Sequence, residues 1–254
     1  MGRGAGNSLP PSREIRVGLQ RRKGTRMKIK IAPSIMVSDL TRLAESVHEV
    51  EDGGAAVMHV DVMDGHFVPS MQAGTTMVSA VKQCARAPVE AHLMVDNPGE
   101  HIDDFAEAGA DIILIHTEVV DDPAPLLHRI REHGCWCGVS IKPQTGPDAI
   151  EPLADKIDSL LVMTVEPGYS GQSFMESAAD KIPALREMLG PDVDIGVDGG
   201  IKPETAPAVV RRGANLLVAG SAVFRADVSP AEAVQRLQRV AEEAMTAGDA
   251  DKDA

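Results

Sequence analysis

The stretch HVDVMDGHFVP, residues 59–69, places ionisable side chains inside an apolar run. The valines of this run predict a buried strand, where an ionisable group is unfavourable unless it is paired or coordinated. Side chains alternate along a strand, so His59, Asp61 and Met63 lie on one face. His59 and Asp61 therefore need a compensating partner.

Two further residues repeat this pattern. His92 lies near the end of the run VEAHLMV, and Asp198 ends the run VDIGVD. One strand histidine is usually a hydrogen-bonded core residue, but two imidazoles and two carboxylates that converge indicate a metal site. These donors suit one divalent ion, Zn²⁺, Fe²⁺, Co²⁺ or Mn²⁺. We expect His116 and Glu118 to join a buried network around the ligands rather than to bind the metal directly.

The elements that position these residues are eight short apolar runs, separated by helical patterns. The runs are IKIAPSI, AAVMHVDVM, APVEAHLMV, ADIILIHTE, CWCGVSIKP, SLLVMTVEP, VDIGVDGG and ANLLVAGS. In the first helical pattern, DLTRLAESVHEVEDGGA, Leu40, Leu43, Val47 and Val50 share a face. Apolar strands that alternate with helices indicate a parallel sheet covered on both sides. We predict one α/β domain over residues 27–245, a (β/α)₈ barrel rather than an open doubly wound sheet.

Catalytic groups of such barrels gather at the carboxyl ends of the strands. The four candidate ligands fall at these ends. Strand alternation also directs Met63, Met94 and Met163 toward the same rim, either as core filler or as part of the site.

Three glycine-rich segments follow the last strands: EPGYSGQSF (166–174), VDGGI and AGSAVF. Turns of this kind let backbone N–H groups bind an anion, and the loops after the last barrel strands commonly hold phosphate. None of the three segments needs Lys or Arg for this purpose. Such neutral donors would let an acidic protein bind a phosphate group.

The chain carries a formal charge of −13 over 254 residues, which argues against nucleic acid as a partner. No apolar run is long enough for a membrane span. Residues 1–26 are basic and lack the apolar region of a secretory signal. We interpret them as a disordered extension, with a mis-called start or a transit peptide as alternatives, and residues 246–254 as a disordered acidic tail. Cys84, Cys135 and Cys137 suit a reduced, cytoplasmic protein, and the C-x-C pair is more typical of strand residues than of a metal site.

Taken together, the motifs APSI-x-x-SDL, H-x-DVMDGHFVP, HLMV, MTVEPG-x-x-GQ-F, VDGGI and GSA-F resemble the ribulose-phosphate 3-epimerase family. The likeness covers about residues 27–245. It implies a TIM barrel of the ribulose-phosphate-binding type, a divalent metal, and an isomerase that interconverts D-ribulose 5-phosphate and D-xylulose 5-phosphate. We also expect a homo-oligomer.

The resemblance also assigns roles to individual residues. Metal binding falls to His59, Asp61, His92 and Asp198, and Asp61 with Asp198 forms the acid/base pair. The substrate would contact Ser34, His59, His92, Met63, Met94, Met163, Gly168, Tyr169, Ser170, Gly171, Gly199, Gly200, Gly220 and Ser221, with the glycine turns around its phosphate. Inversion of a carbon beside a ketone requires proton removal on one face and return on the other, which fits two carboxylates around an enediolate.

Two departures from the family pattern affect the substrate pocket. Ser70 replaces an asparagine after HFVP, and GYSG stands where GFGG is usual, so Ser170 replaces a glycine. The alternatives are a 3-epimerase of a six-carbon ketose 6-phosphate and a non-catalytic sugar-phosphate-binding barrel. A metal-free decarboxylase or aldolase would need a reactive lysine, for which Lys142 is the candidate.

Overall fold

The computed structural model describes residues 27–169 and 171–250. Within these residues nine strands form one sheet. The strands are β1 (Lys30–Pro33), β2 (Met58–Asp64), β3 (Met71–Gln72), β4 (Val89–Met94), β5 (Ile112–His116), β6 (Trp136–Ile141), β7 (Ser159–Met163), β8 (Asp194–Asp198) and β9 (Leu216–Ala219). Eight of them coincide with the predicted runs, and the two-residue β3 was not predicted.

The strands close into a barrel. Eight run parallel in the order β1-β9-β8-β7-β6-β5-β4-β2, and β3 pairs antiparallel with the end of β2. The two ends of this row meet where Ser34 forms a parallel bridge with His59. The predicted (β/α)₈ architecture is therefore confirmed. The register between β2 and β4 places Asp61 beside His92.

Helices form the outer layer of the barrel. They are α1 (Leu43–Asp52), α2 (Thr75–Cys84), α3 (Ile102–Glu107), α4 (Ala124–Glu132), α5 (Glu176–Ala179), α6 (Ile182–Leu189), α7 (Ala206–Arg211), α8 (Ser221–Phe224) and α9 (Pro230–Ala250). Between β6 and β7 the connection consists of two 3₁₀ turns, Pro147–Ala149 and Glu151–Leu153. The outer layer is thus thinner at this position.

The apolar strands are buried on both faces, as a barrel wall requires. On β5, Ile113 and Ile115 pack in the core between strands and helices. Ile112 and Leu114 alternate with them and pack inside the barrel with Leu161 of β7. The interior of the barrel at this level is therefore filled by apolar side chains.

The first helix starts later than the sequence pattern predicts. Residues Leu40–Arg42 form a 3₁₀ turn that precedes the helix, and the Asp39 side chain caps this turn by accepting a hydrogen bond from the Thr41 backbone N–H at 3.0 Å. Leu40 is 42% exposed, so its predicted place on the buried face was wrong. Val47 and Val50 are buried as expected.

The C-terminal boundary also differs from the prediction. Helix α9 runs to Ala250, so the expectation of a disordered tail was wrong for residues 246–250. Residues 1–26 and 251–254, and the expectations of disorder that concern them, lie outside the described residues, as does Ser170. No helix of the described part of the chain is long and apolar enough to cross a membrane.

Candidate active site

Four side chains converge at the carboxyl end of the barrel. His59, Asp61, His92 and Asp198 each offer one ligand atom, and these atoms all lie within 4.8 Å of one another. Strands β2, β4 and β8 supply them at positions that alternate toward the interior. The structure thus brings together the set that the sequence predicted as metal ligands.

Asp61 is the centre of this cluster. Its Oδ1 lies 3.0 Å from His59 Nε2 and 3.2 Å from His92 Nδ1, and the Ser34 hydroxyl donates to its Oδ2 at 2.7 Å. Burial raises the pKa of Asp61, but the two imidazoles outweigh burial and hold it well below its usual range. Asp61 is therefore a carboxylate anion.

The pKa of Asp198 is shifted in the opposite direction. Burial, and then the nearby charge of Asp61, raise the pKa of Asp198 to about 7. Two neighbouring carboxyl groups with separated pKa values are the usual arrangement of an acid/base pair. One of them can accept a proton while the other holds one.

The two histidines differ in their second partners. His59 Nδ1 lies 2.8 Å from Glu90 Oε1, and Glu90 and Asp61 raise the pKa of His59 although burial lowers it. His92 Nε2 lies 3.0 Å from Nε2 of His116. Burial lowers the pKa of His92 to about 4, so this imidazole is neutral near pH 7.

The predicted network role of His116 and Glu118 agrees with the contacts. His116 Nδ1 lies 3.0 Å from Glu118 Oε2, and His116 is completely buried. Burial raises the pKa of Glu118, but hydrogen bonds from His116, the Lys142 backbone and Thr145 bring it down to about 2. Glu118 is an anion at the end of a chain of imidazoles that leads to the cluster.

The donor set fits a divalent metal ion. Two imidazole nitrogens and two carboxylate oxygens are the ligands that Zn²⁺ and similar ions use. Each histidine also has its other nitrogen next to a partner, which is how ligand histidines are normally oriented. The four ligand atoms are close enough together to surround one such ion.

A cavity of about 810 Å³ opens over the cluster. Its lining contains the predicted residues Ser34, Asp61, Asp198, Met63, Met94, Met163, Gly168, Tyr169, Gly171, Gly199, Gly200, Gly220 and Ser221. His59 and His92 are fully buried and do not line it, so they touch the cluster rather than the cavity. The three methionines give this lining an apolar part next to Asp61 and Asp198.

The far side of the cavity presents free backbone donors. Among the described residues, the N–H groups of Gly200, Ile201, Gly220 and Ser221 have no hydrogen-bond acceptor, and all four residues line the cavity. We call these four residues the anion pocket. Unpaired N–H groups that face one space form an anion-binding site.

Backbone geometry explains why the turn after β8 needs glycine. Gly200 has φ +66°, and a Cβ there would lie 2.8 Å from the backbone N of Phe174. Gly199 has φ +119°, and its Cβ would lie 2.6 Å from Val165 Cγ2. A side chain at either position would push the turn away from its neighbours.

Three cations at the cavity were not predicted from the sequence. Arg225, Arg236 and Lys202 line it, although the phosphate prediction required no Lys or Arg. Neither arginine makes an ion pair with any described residue. Arg225 directly follows the glycine-rich segment AGSAVF, so its place near the cavity could have been predicted from the sequence. Arg236 reaches the cavity only because α9 packs against α7, α8 and β1.

Ser70 and Lys142, which the sequence suggested as residues that could change the reaction or its substrate, both lie near Phe67 or the loop that contains Gly168. The Ser70 hydroxyl donates to the Gly168 carbonyl at 2.6 Å, so this serine ties the loop after β2 to the loop after β7. Lys142 Nζ lies 3.9 Å from the centroid of the Phe67 ring and does not line the cavity. Nothing in its position supports a lysine-based decarboxylase or aldolase.

Fold and site together define a (β/α)₈ barrel with a His/Asp centre at the carboxyl end of its strands. Among solved structures, a ligand complex of KGPDC from Streptococcus mutans has the same fold, with a TM-score of 0.68 and 15% identity. The match covers 85% of this chain and 98% of that one.

Sequence comparison identifies the family within this class. The model of the ribulose-phosphate 3 epimerase family matches residues 30–224, and the chain belongs to this family. The ribulose-phosphate 3-epimerase of Bacillus subtilis is 45% identical over 204 residues, 77% of this chain and 92% of the relative. The cytoplasmic isoform from Oryza sativa subsp. japonica is 39% identical over 217 residues, 84% of this chain and 94% of that one.

Proposed function

We propose that this protein is an isomerase that inverts C3 of D-ribulose 5-phosphate to give D-xylulose 5-phosphate. The observation that carries the proposal is the pair Asp61 and Asp198, a buried and a half-buried carboxyl group in one cluster whose pKa values are shifted in opposite directions. Both line the same cavity, so a substrate carbon between them can exchange protons on its two faces. The names of the relatives agree with this reaction.

The protein's own residues supply the proton transfers. One carboxylate removes the C3 proton on one face, and the other carboxyl group returns a proton on the opposite face. Ser34 holds Asp61 through its hydroxyl, which fixes the carboxylate for this task. Met63, Met94 and Met163 exclude water around the planar intermediate without adding a charge.

His59, Asp61, His92 and Asp198 would hold one divalent metal ion, Zn²⁺, Fe²⁺, Mn²⁺ or Co²⁺. When bound, such an ion supplies a positive charge that stabilises the developing enediolate. Because His92 is neutral and hydrogen-bonded through Nε2, its Nδ1 can serve as a ligand without loss of a buried charge.

The substrate phosphate would bind in the anion pocket. Four unpaired backbone N–H groups there supply neutral donors, so the acidic chain needs no cation in direct contact with the phosphate. Arg225 and Arg236, which make no ion pair with any described residue, add a positive field at the mouth. This field would attract an anionic substrate despite the formal charge of −13.

A coupled assay tests the proposal and separates it from its nearest alternative. The purified protein is supplied with D-ribulose 5-phosphate or with a six-carbon 2-ketose 6-phosphate, at matched concentrations. We expect a higher kcat/KM with the pentulose phosphate. A higher kcat/KM with the hexulose phosphate would make the six-carbon sugar the substrate. If neither compound reacted, the proposed epimerase activity would be wrong. Cytoplasmic location, to which the name of the Oryza relative also points, and a homo-oligomeric state stay predictions.

A further inference from the structure

The two ligand histidines differ in the partner of the ring nitrogen that faces away from the cluster. In His59 this nitrogen contacts a carboxylate directly, whereas in His92 it contacts a second imidazole, which in turn contacts a carboxylate. His59 Nδ1 is 2.8 Å from Glu90 Oε1. On the other side, His92 Nε2 is 3.0 Å from His116 Nε2, and His116 Nδ1 is 3.0 Å from Glu118 Oε2. The chain Glu118–His116–His92 therefore ends at the metal cluster.

We propose that Glu118 and His116 are positioning residues that fix which nitrogen of His92 carries its proton. The inference rests on the proposed metal site, and it concerns how that site is kept ready for a cation. Both imidazoles are 0% exposed, so their charged forms are disfavoured. In a chain of neutral imidazoles, each ring has one N–H donor and one acceptor.

The direction of the hydrogen bonds along this chain follows from Glu118 at its outer end. Ionised Glu118 can only accept, so His116 Nδ1–H donates to it and His116 Nε2 is left as an acceptor. His92 Nε2–H then donates to His116 Nε2. At its other end His92 Nδ1 lies 3.2 Å from Asp61 Oδ1, which is also an acceptor, so a cation bound in the cluster would take the place of a proton there and leave the lone pair of His92 on Nδ1.

Glu118 itself is held by two further donors. Its Oε1 accepts from the Lys142 backbone N–H at 2.6 Å and from the Thr145 hydroxyl. The Lys142 amide can only donate, so whatever occupies the Oε1 position must be an acceptor. This constraint makes the replacement Glu118→Gln informative.

In Glu118→Gln the amide oxygen must take the Oε1 position, and the NH₂ group must face His116. The NH₂ group donates to His116 Nδ1, so the proton of that ring moves to Nε2 and donates to His92 Nε2. The His92 proton then lies on Nδ1 and points into the cluster. Every hydrogen bond along the chain keeps a partner, but the metal site loses one lone pair.

The test is a Zn²⁺ titration of the metal-stripped full-length protein in competition with a chromophoric chelator. We expect Glu118→Gln to bind Zn²⁺ about 10- to 100-fold more weakly than the wild type, as for other changes behind a ligand histidine. The matched control is Glu132→Gln, which removes a carboxylate beside His128 on the exposed face of α4. We expect the control to keep the wild-type Zn²⁺ affinity.

Unchanged Zn²⁺ affinity in folded Glu118→Gln would overturn the proposal. If the variant does not fold, ¹⁵N NMR of the histidine side chains in the Zn²⁺-loaded wild type decides. We expect protonated Nε2 on His92 and protonated Nδ1 on His116, and the opposite pattern would overturn the proposal. Because neither measurement uses turnover, an error in the assigned substrate would leave this test valid.

Discussion

Replacement of Asp198 by asparagine tests the two-carboxylate mechanism most directly. The side chain keeps its size, but an amide can neither accept nor return a proton in the cycle. Burial and the charge of Asp61 raise the pKa of Asp198, which suits a group that both accepts and returns a proton. Positioned acid/base groups contribute roughly 10²- to 10⁴-fold to a rate. That factor corresponds to about 3–5 kcal/mol of activation free energy.

The assay measures kcat in the coupled reaction and solvent deuterium uptake at C3. With Asp198→Asn we expect epimerisation to fall by at least about 10²-fold. Asp61 remains, so the one epimer whose C3 proton it removes should still exchange with D₂O. Asp192→Asn is the control, since Asp192 is exposed just before β8 and should leave kcat unchanged.

Metal content must be measured in parallel, because Asp198 is also a candidate ligand. The reasoning fails if metal-loaded Asp198→Asn keeps turnover within about tenfold of the wild type, since a lost proton carrier costs more than that. Exchange of both epimers by the variant would show that one base reaches both faces, and the second carboxylate would then have another role.

Four further results are expected. Removal of metal with a strong chelator should abolish activity, and Zn²⁺, Co²⁺, Mn²⁺ or Fe²⁺ should restore it. Gly200→Val should raise KM by about 10- to 100-fold, because a displaced donor to a charged phosphate is worth about 1.5–3 kcal/mol. The double change Arg225→Gln and Arg236→Gln should lower kcat/KM at low salt and flatten its dependence on ionic strength. Burial raises the pKa of the Cys137 thiol to about 12, so it should resist iodoacetamide at pH 8 in the native protein and react after denaturation, as mass spectrometry would record.

Each of these has a result that contradicts it. Full activity of a verified metal-free sample would remove the metal from the mechanism. Unchanged KM in Gly200→Val would mean that the turn after β8 does not bind phosphate. A salt dependence unaltered by loss of both arginines would exclude them from substrate attraction. Rapid native labelling of Cys137 would show that β6 opens readily.

The sequence predicted the cluster because its residues obey two strong regularities. Period-two alternation put His59 and Asp61 on one face, and the barrel rule put His92 and Asp198 at the same rim. These regularities describe single strands and their ends. They were therefore sufficient to predict that the candidate ligands and the glycine turns lie at the same end of the barrel.

Features that depend on packing between distant segments could not be predicted in this way. Arg236 lies on α9 and reaches the cavity only through the docking of that helix. The start of α1 follows a 3₁₀ turn that the Asp39 side chain caps at the Thr41 N–H. The hydrophobic pattern alone placed Leu40 on the apolar face of the helix and could not predict this turn.

The place where the barrel closes has a consequence for its stability. Strands β2 and β4 share six paired positions, whereas β1 meets β2 through the Ser34–His59 bridge and the hydrogen bond from Ala56 N–H to the Ile31 carbonyl. The Ser34 hydroxyl adds a third link, to Asp61. The weakest junction of the wall is thus built partly from the groups that would hold metal and substrate. Occupancy of the site and closure of the barrel are thermodynamically linked, so a ligand that binds only the closed form stabilises the whole fold.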